Sequence, residues 1–152
     1  MKEVINGEHI SDRQVISTRV FNVPREKVFQ AWADPLHLAQ WWGPKGFTNT
    51  FDIFEFKPEG RWEFTMHGPD GVDYLNYSKF IEIQASEKII FDHLRPMHRF
   101  RVTATFEEQG QDTLLTFAMV FDSVEECERV KMYVVSSNEE NFDRLEALLS
   151  KI

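Results

Sequence analysis

Cysteine is nearly absent from this chain. Its one thiol, Cys127, excludes an internal disulfide and fits a reducing compartment, which predicts a cytoplasmic protein. Long apolar runs are missing as well. No stretch approaches the ~20 residues that span a bilayer, and Met1 to Gln14 is polar and mixed in charge, without the apolar core of a signal peptide. The 7 glycines are scattered through turns, so no phosphate-cradling loop forms, and there is no Gly-x-Ser-x-Gly nucleophile elbow. Positive charge is the scarcer sign: 17 Lys and Arg stand against 25 Asp and Glu, a net charge of −8. Phosphate contacts need clustered cations, so nucleic acid is excluded as a partner. The nearest basic cluster, Arg95, His98, Arg99 and Arg101, reads as a solvated strand face. Tyrosine is scarce too, 3 residues against 14 phenylalanines. Aromatic mass that cannot hydrogen-bond suits a core or a greasy pocket better than a polar recognition surface.

What is present is enough for one domain. The 152 residues are 42% apolar and 28% charged, ordinary for a globular protein and sufficient for a core without staples. There is no repeat, low-complexity tract or linker. Residues 1–13 read as an N-terminal arm or short extra strand, and 14–152 as a single domain. Alternation over 14–23 gives a strand with Ile16 and Val20 on one face and Val15, Phe21 and Val23 on the other. Pro24 at a first helical position opens a helix through Trp32. Asp34 as N-cap with Pro35 at N1 opens a second, to about Trp42. The period then becomes two, with strands over 47–57, 61–67, 73–84, 87–94, 99–107 and 113–121. Their connections are short turns, so neighbours are antiparallel and form a meander.

Ser123-Val124-Glu125-Glu126 is a capping box that starts the longest helix, ending near Ile152. Its apolar stripe holds Cys127, Val130, Val134, Phe142, Leu145, Leu148 and Leu149. The order β-α-α, six strands and a helix predicts an α+β fold, a curved antiparallel sheet wrapped around the long C-terminal helix.

Candidate chemistry is thin. His93 and His98 flank Arg95-Pro96-Met97 and can approach across a hairpin, but no third ligand stands at a metal-binding spacing, so no metal is expected. His67 shares a face with Glu63 and Thr65, the pattern of a base with an orienting carboxylate. An alternating polar face is more often simply solvated. His37 on the second helix reads as exposed. Cys127, on the apolar stripe, reads as inert packing. Asn138 falls between Val134, Phe142 and Leu145 on that stripe, where an amide must find a partner or face a cavity. Asn76, Tyr77, Tyr74 and Ser78 offer polar points on alternating faces of a central strand. Trp41 and Trp42 are adjacent on a short helix. At about 100° per residue they cannot share a face, so one is core and the other faces a cavity, a neighbour or solvent.

The segments Pro24 with Val28-Phe29-Gln30-Ala31-Trp32, and Asp34-Pro35 through Trp41-Trp42-Gly43-Pro44-Lys45-Gly46, resemble the signature of one family. Pro58-Glu59-Gly60-Arg61-Trp62 is similar to its Gly-Gly-aromatic turn, Met66 to Gly71 to its next hairpin, and Phe142 to Leu149 to its terminal helix. The family is the Hsp90 ATPase activator homologue group of the START-like (SRPBCC) helix-grip superfamily, and the likeness covers about residues 14–150. Two departures stand out: Asn141-Phe142 where the family often has Gly-Trp, and Asn76-Tyr77 where it often has Gly-Tyr. The resemblance implies a helix-grip fold built around a large cavity. It also implies binding of an apolar or amphipathic small molecule between sheet and C-terminal helix. The expected ligand-binding residues are Trp32, Trp41, Trp42, Trp62, Phe64, Tyr77, Phe91, Phe117, Asn138 and Phe142. No cofactor is implied. The alternatives are a lyase, cyclase or hydrolase using His67 or another inward polar residue, or a chaperone-linked interaction module. The chaperone activator's separate Hsp90-binding domain has no counterpart among these residues, which weighs against the last. A homodimer is compatible with the sequence, and a membrane span is not.

Overall fold

The computed structural model describes residues 4–5 and 8–152, so part of the expected 1–13 arm lies outside the described residues. What is described there is β1 (Val4–Ile5) pairing antiparallel with β2 (Glu8–His9), then a 3-10 turn over Ile10–Arg13. The main sheet begins with β3 (Gln14–Phe21). Two helices follow, α1 (Arg25–Ala33) and α2 (Pro35–Trp41), then β4 (Thr48–Phe54), β5 (Arg61–His67), β6 (Asp73–Gln84), β7 (Lys88–Arg95), β8 (Phe100–Gln109) and β9 (Asp112–Phe121). The chain closes with α3 (Val124–Leu149). Seven strands form one antiparallel sheet in the order β3-β9-β8-β7-β6-β5-β4. Consecutive strands from β4 to β9 pair as the short turns require, and β3 closes onto β9 with Gln14 opposite Val120 and Phe21 opposite Thr113. The sheet is curved and unclosed, with α3 in its concavity: the helix-grip fold.

Small differences from the sequence expectations have local causes. Pro24 stands at the N-cap of α1 rather than inside it, in extended backbone. α2 starts as expected, with Asp34 Oδ1 accepting from Leu36 N–H at 2.9 Å and Pro35 in its first turn. It stops at Trp41 because Gly43 follows with φ 98°, the left-handed turn that ends helices and that a Cβ would strain. A Cβ there would also lie 2.7 Å from Met66 Cε. α3 starts at Ser123, whose Oγ accepts from Glu126 N–H at 3.1 Å. The Glu126 carboxylate meets His98 Nδ1 at 2.5 Å. The helix ends at Leu149, three residues short of the expected end, with Ser150 N–H bonded to Glu146 O.

Alternation decides what faces α3. On β9 the residues Thr113, Leu115, Phe117, Met119 and Phe121 are buried. On β7 the inward set is Ile89, Phe91 and His93, and on β6 it is Asn76, Ser78 and Phe80. The densest packing lies under α1 and α2, where Trp32 meets Trp41 edge-on at 5.0 Å and Phe106 at 5.9 Å. Trp62 stacks on Phe64 at 4.7 Å and on Phe80 at 5.7 Å. Gly60 at the β4–β5 turn allows this closeness, since a Cβ there would lie 1.9 Å from Glu55 O. Among the described residues no helix is long and apolar enough to cross a membrane.

Candidate functional site

The long helix does not touch the sheet evenly. Cys127 near its start and Phe142, Leu145, Leu148 and Leu149 near its end are buried. Between them Val130 and Val134, expected on the apolar stripe, are only partly covered. Here the helix stands away from the sheet and leaves a cavity of about 520 Å³. Phe64, Phe91, Phe117, Met119 and Phe121 form its sheet wall, and Val130, Val134, Ser137, Asn138 and Asn141 its helix wall. Trp42, Gly43, Pro44 and Phe47 close one side, and Pro96, Met97 and His98 border another. Tyr133 and Met97 line the cavity yet are 67% and 84% exposed, which marks them as its rim.

Five of the expected ligand-binding residues, Trp42, Phe64, Phe91, Phe117 and Asn138, come together on this lining. The other five stand elsewhere. Trp32, Trp41 and Trp62 lie in the aromatic core beneath the two short helices, and the Trp41 indole N–H donates to Ala31 O at 2.9 Å. Phe142 points past the cavity to pack on Phe21 and Phe117 at 6.2 and 6.1 Å. Tyr77 is a correction of face. Its neighbours Asn76 and Ser78 point inward, so Tyr77 points out, with the Arg95 guanidinium 4.0 Å over its ring. His67 also belongs to the outer face. It bonds Asp73 and Thr50, each at 2.8 Å, while Glu63, its expected partner, meets Arg61 at 3.3 Å. The inward-acting base expected of His67 therefore has no footing.

The inward histidine is His93, which the sequence reading weighed only as a metal ligand. Its position two residues beyond Phe91 and four beyond Ile89 on one strand was the signal available. Its Nε2 lies 3.0 Å from Pro96 O. A carbonyl can only accept, so Nε2 carries the proton and Nδ1 holds a lone pair. The ring stacks on Phe100 at 4.7 Å. Burial, helped by the neighbouring His98, holds its pKa below the ordinary histidine value despite the bond to Pro96, so it is neutral at pH 7. Among the described residues no group of three or more His, Cys, Asp or Glu side chains could hold a metal ion.

Two further polar groups shape the site. Asn138 Nδ2 donates to Ser17 Oγ at 3.1 Å and approaches Met119 Sδ at 3.5 Å, so this amide both lines the cavity and holds the helix to β3. Arg144 reaches across to α2 and the loop after it. Its guanidinium donates to Gln40 O, Trp42 O, Gly43 O and Pro44 O at 2.8 to 3.1 Å. That fork fixes the backbone from which the Trp42 ring enters the cavity.

An antiparallel sheet gripping a long helix over a cavity defines the class: a START-like, SRPBCC-type scaffold. The family model described as Activator of Hsp90 ATPase homolog 1-like protein matches residues 22–150, and the chain belongs to that family. Solved structures agree in fold. A protein from Arthrobacter aurescens superposes with a TM-score of 0.86 at 24% identity, covering 95% of this chain and 90% of its own. One from Nitrosomonas europaea gives 0.84 at 17% identity, with 93% and 96% covered. The AHSA1 protein from Silicibacter pomeroyi gives 0.74 at 20% identity, with 90% and 97% covered. No curated protein matches the chain significantly.

Proposed function

We propose that this protein binds an apolar or amphipathic small molecule in the cavity between its sheet and α3. One observation carries the reading: a cavity of about 520 Å³, open on one side, is left between the sheet and α3. Protein interiors pack to crystal density, with few voids larger than a water molecule. A space of this size, walled mostly by aromatic and aliphatic side chains with a few polar groups, is in the range of small-molecule sites. Trp42, Phe64, Phe91, Phe117 and Asn138 are the contact residues under this reading, and Tyr133 and Met97 the entrance. The single buried thiol goes with a reducing, cytoplasmic setting.

A second reading, catalysis, is favoured by one group. His93 is a neutral imidazole lining the cavity, the form that can take a proton from a bound substrate. Loss of a measured turnover in His93→Gln with binding retained would support it.

Native mass spectrometry of gently purified protein reports a retained ligand and the oligomeric state together, homodimer included. Titration with N-phenyl-1-naphthylamine tests the space directly. The expected result is saturable binding near one probe per chain, weakened in Trp42→Ala. Absence of both a copurifying molecule and saturable probe binding would overturn the reading.

A further inference from the structure

The outer face of the sheet carries a hydrogen-bonded chain of side chains that the cavity does not use. His67 on β5 stands opposite Asp73 on β6, and its Nδ1 lies 2.8 Å from Asp73 Oδ1. On the other side its Nε2 lies 2.8 Å from Thr50 Oγ1 on the edge strand β4. Thr50 pairs with Thr65, two residues before His67, so it is the diagonal neighbour that a long side chain can reach.

The bonds assign the protons. An ionised carboxylate only accepts, so in the neutral ring Nδ1 holds the hydrogen. Nε2 then turns its lone pair to Thr50, whose hydroxyl donates. A threonine hydroxyl is a weak nucleophile until a base takes its proton, and an imidazole fixed in one tautomer by a carboxylate is such a base. Stability gives little reason for the chain. The His67 and Asp73 side chains are 36% and 61% exposed and Thr50 is exposed too, and pairs so open to water add little to a fold. Two neighbours suit the same chemistry. Thr65, directly across from Thr50, sets a second hydroxyl on this face, where it can donate to charge developing on a carbonyl oxygen. Leu75, across from Thr65 on β6 and 58% exposed, gives a short acyl chain an apolar place to lie.

We propose that Thr50, His67 and Asp73 form an outer-face site that cleaves activated esters by acyl transfer to Thr50. His67 Nε2 takes the Thr50 proton as Oγ1 bonds the acyl carbon. It returns that proton to the leaving oxygen as the ester C–O bond breaks. Water then attacks the acyl-threonine and passes its proton to Nε2. The bond from Oγ1 to the acyl carbon breaks, Thr50 regains a proton, and the carboxylic acid leaves. The sum is ester plus water giving acid plus alcohol. Thr50 and His67 are the catalytic residues, and Asp73 is a positioning residue that holds the tautomer. Because all three side chains are open to solvent, the substrate class is a small ester with a good leaving group, whose carbonyl needs little help from the protein.

Release of 4-nitrophenolate from 4-nitrophenyl acetate by the full chain reads the site, and peptide mass spectrometry of acid-quenched protein locates the acetyl group. The expected result is acetyl on Thr50 and a rate that falls at least about tenfold in Thr50→Ala and His67→Gln, below the usual contribution of a buried base. Thr50→Ser keeps the hydroxyl and should retain the rate, which separates chemistry from folding. Asp73→Asn should lower the rate and move the ring proton to Nε2, read in the imidazole nitrogen shifts, with Asp73→Glu restoring part of both. A rate retained in Thr50→Ala or His67→Gln, or quenched protein that never carries acetyl on Thr50, would overturn the site. An unchanged tautomer in Asp73→Asn would overturn the role of Asp73. The cavity reading stands or falls separately, since its probe N-phenyl-1-naphthylamine belongs to the other face and should bind these variants as it binds the wild type.

Discussion

Trp41 and Trp42 are neighbours in sequence with different physical jobs. Trp41 is 1% exposed, packs edge-on against Trp32 and Trp42 at 5.0 and 5.5 Å, and satisfies its indole N–H on Ala31 O. Trp42 is partly exposed, touches Trp62 and Phe91 at 5.1 and 5.9 Å, and borders the cavity. Truncating Trp41 removes a filled volume and strands a carbonyl, so Trp41→Ala should cost about 3–5 kcal/mol in urea unfolding. Trp42→Ala enlarges a space that already exists and should cost clearly less, about half as much. Equal large losses would contradict the division. The division was expected from the angle between adjacent helical residues, but its cause is different: α2 ends at Trp41, and Trp42 turns away because its backbone is extended. The facing of Tyr77 was not legible, because β6 carries Asn76 and Ser78 inward. A polar inner face erases the contrast that alternation relies on.

At the scale of elements, the order and type of the strands and helices from β3 onward followed from periodicity and caps, while the separation of α3 from the sheet did not. The stripe through Val130 and Val134 reads as core in sequence, because a side chain facing a cavity is chosen for the same apolarity as one facing a neighbour. Nor could sequence show that α2 is tied to α3 by Arg144. The tie sets a cation against the carbonyl end of a seven-residue helix, where the helix dipole also favours positive charge. Arg144→Met keeps the stem and removes the bonds, and should cost about 1.5–3 kcal/mol, the range for hydrogen bonds to a charged group. Arg144→Lys should recover less than half of that, because an ammonium cannot present the guanidinium's planar fork to these carbonyls. Urea melts of the three proteins read both values. Full recovery by lysine would reduce the interaction to charge alone.

The whole molecule gives up packing to keep its interior open. A sheet curved around a helix buries both apolar faces at the ends of α3 and leaves the middle unfilled, a loss of dispersion contacts that a fold optimised for stability alone would close. The cost predicts its own remedy. Val134 sits half-buried on the helix wall, and Val134→Phe would project a ring into the open space. Where that space is free, the added burial should stabilise by about 1 kcal/mol, which for a domain of this length raises Tm by about 2–4 °C. The same ring should weaken binding of N-phenyl-1-naphthylamine at least tenfold by occupying its place. Val135→Phe, one residue on at a position 42% exposed and outside the lining, controls for the added apolar surface and should leave the probe's affinity within about twofold. A fall in Tm for Val134→Phe would mean that the helix already packs against the sheet, since overfilled cores lose about 1–3 kcal/mol. A rise in Tm with undiminished probe binding would place the probe outside the cavity. Stabilisation joined to loss of binding is the result expected of a core held open for a guest.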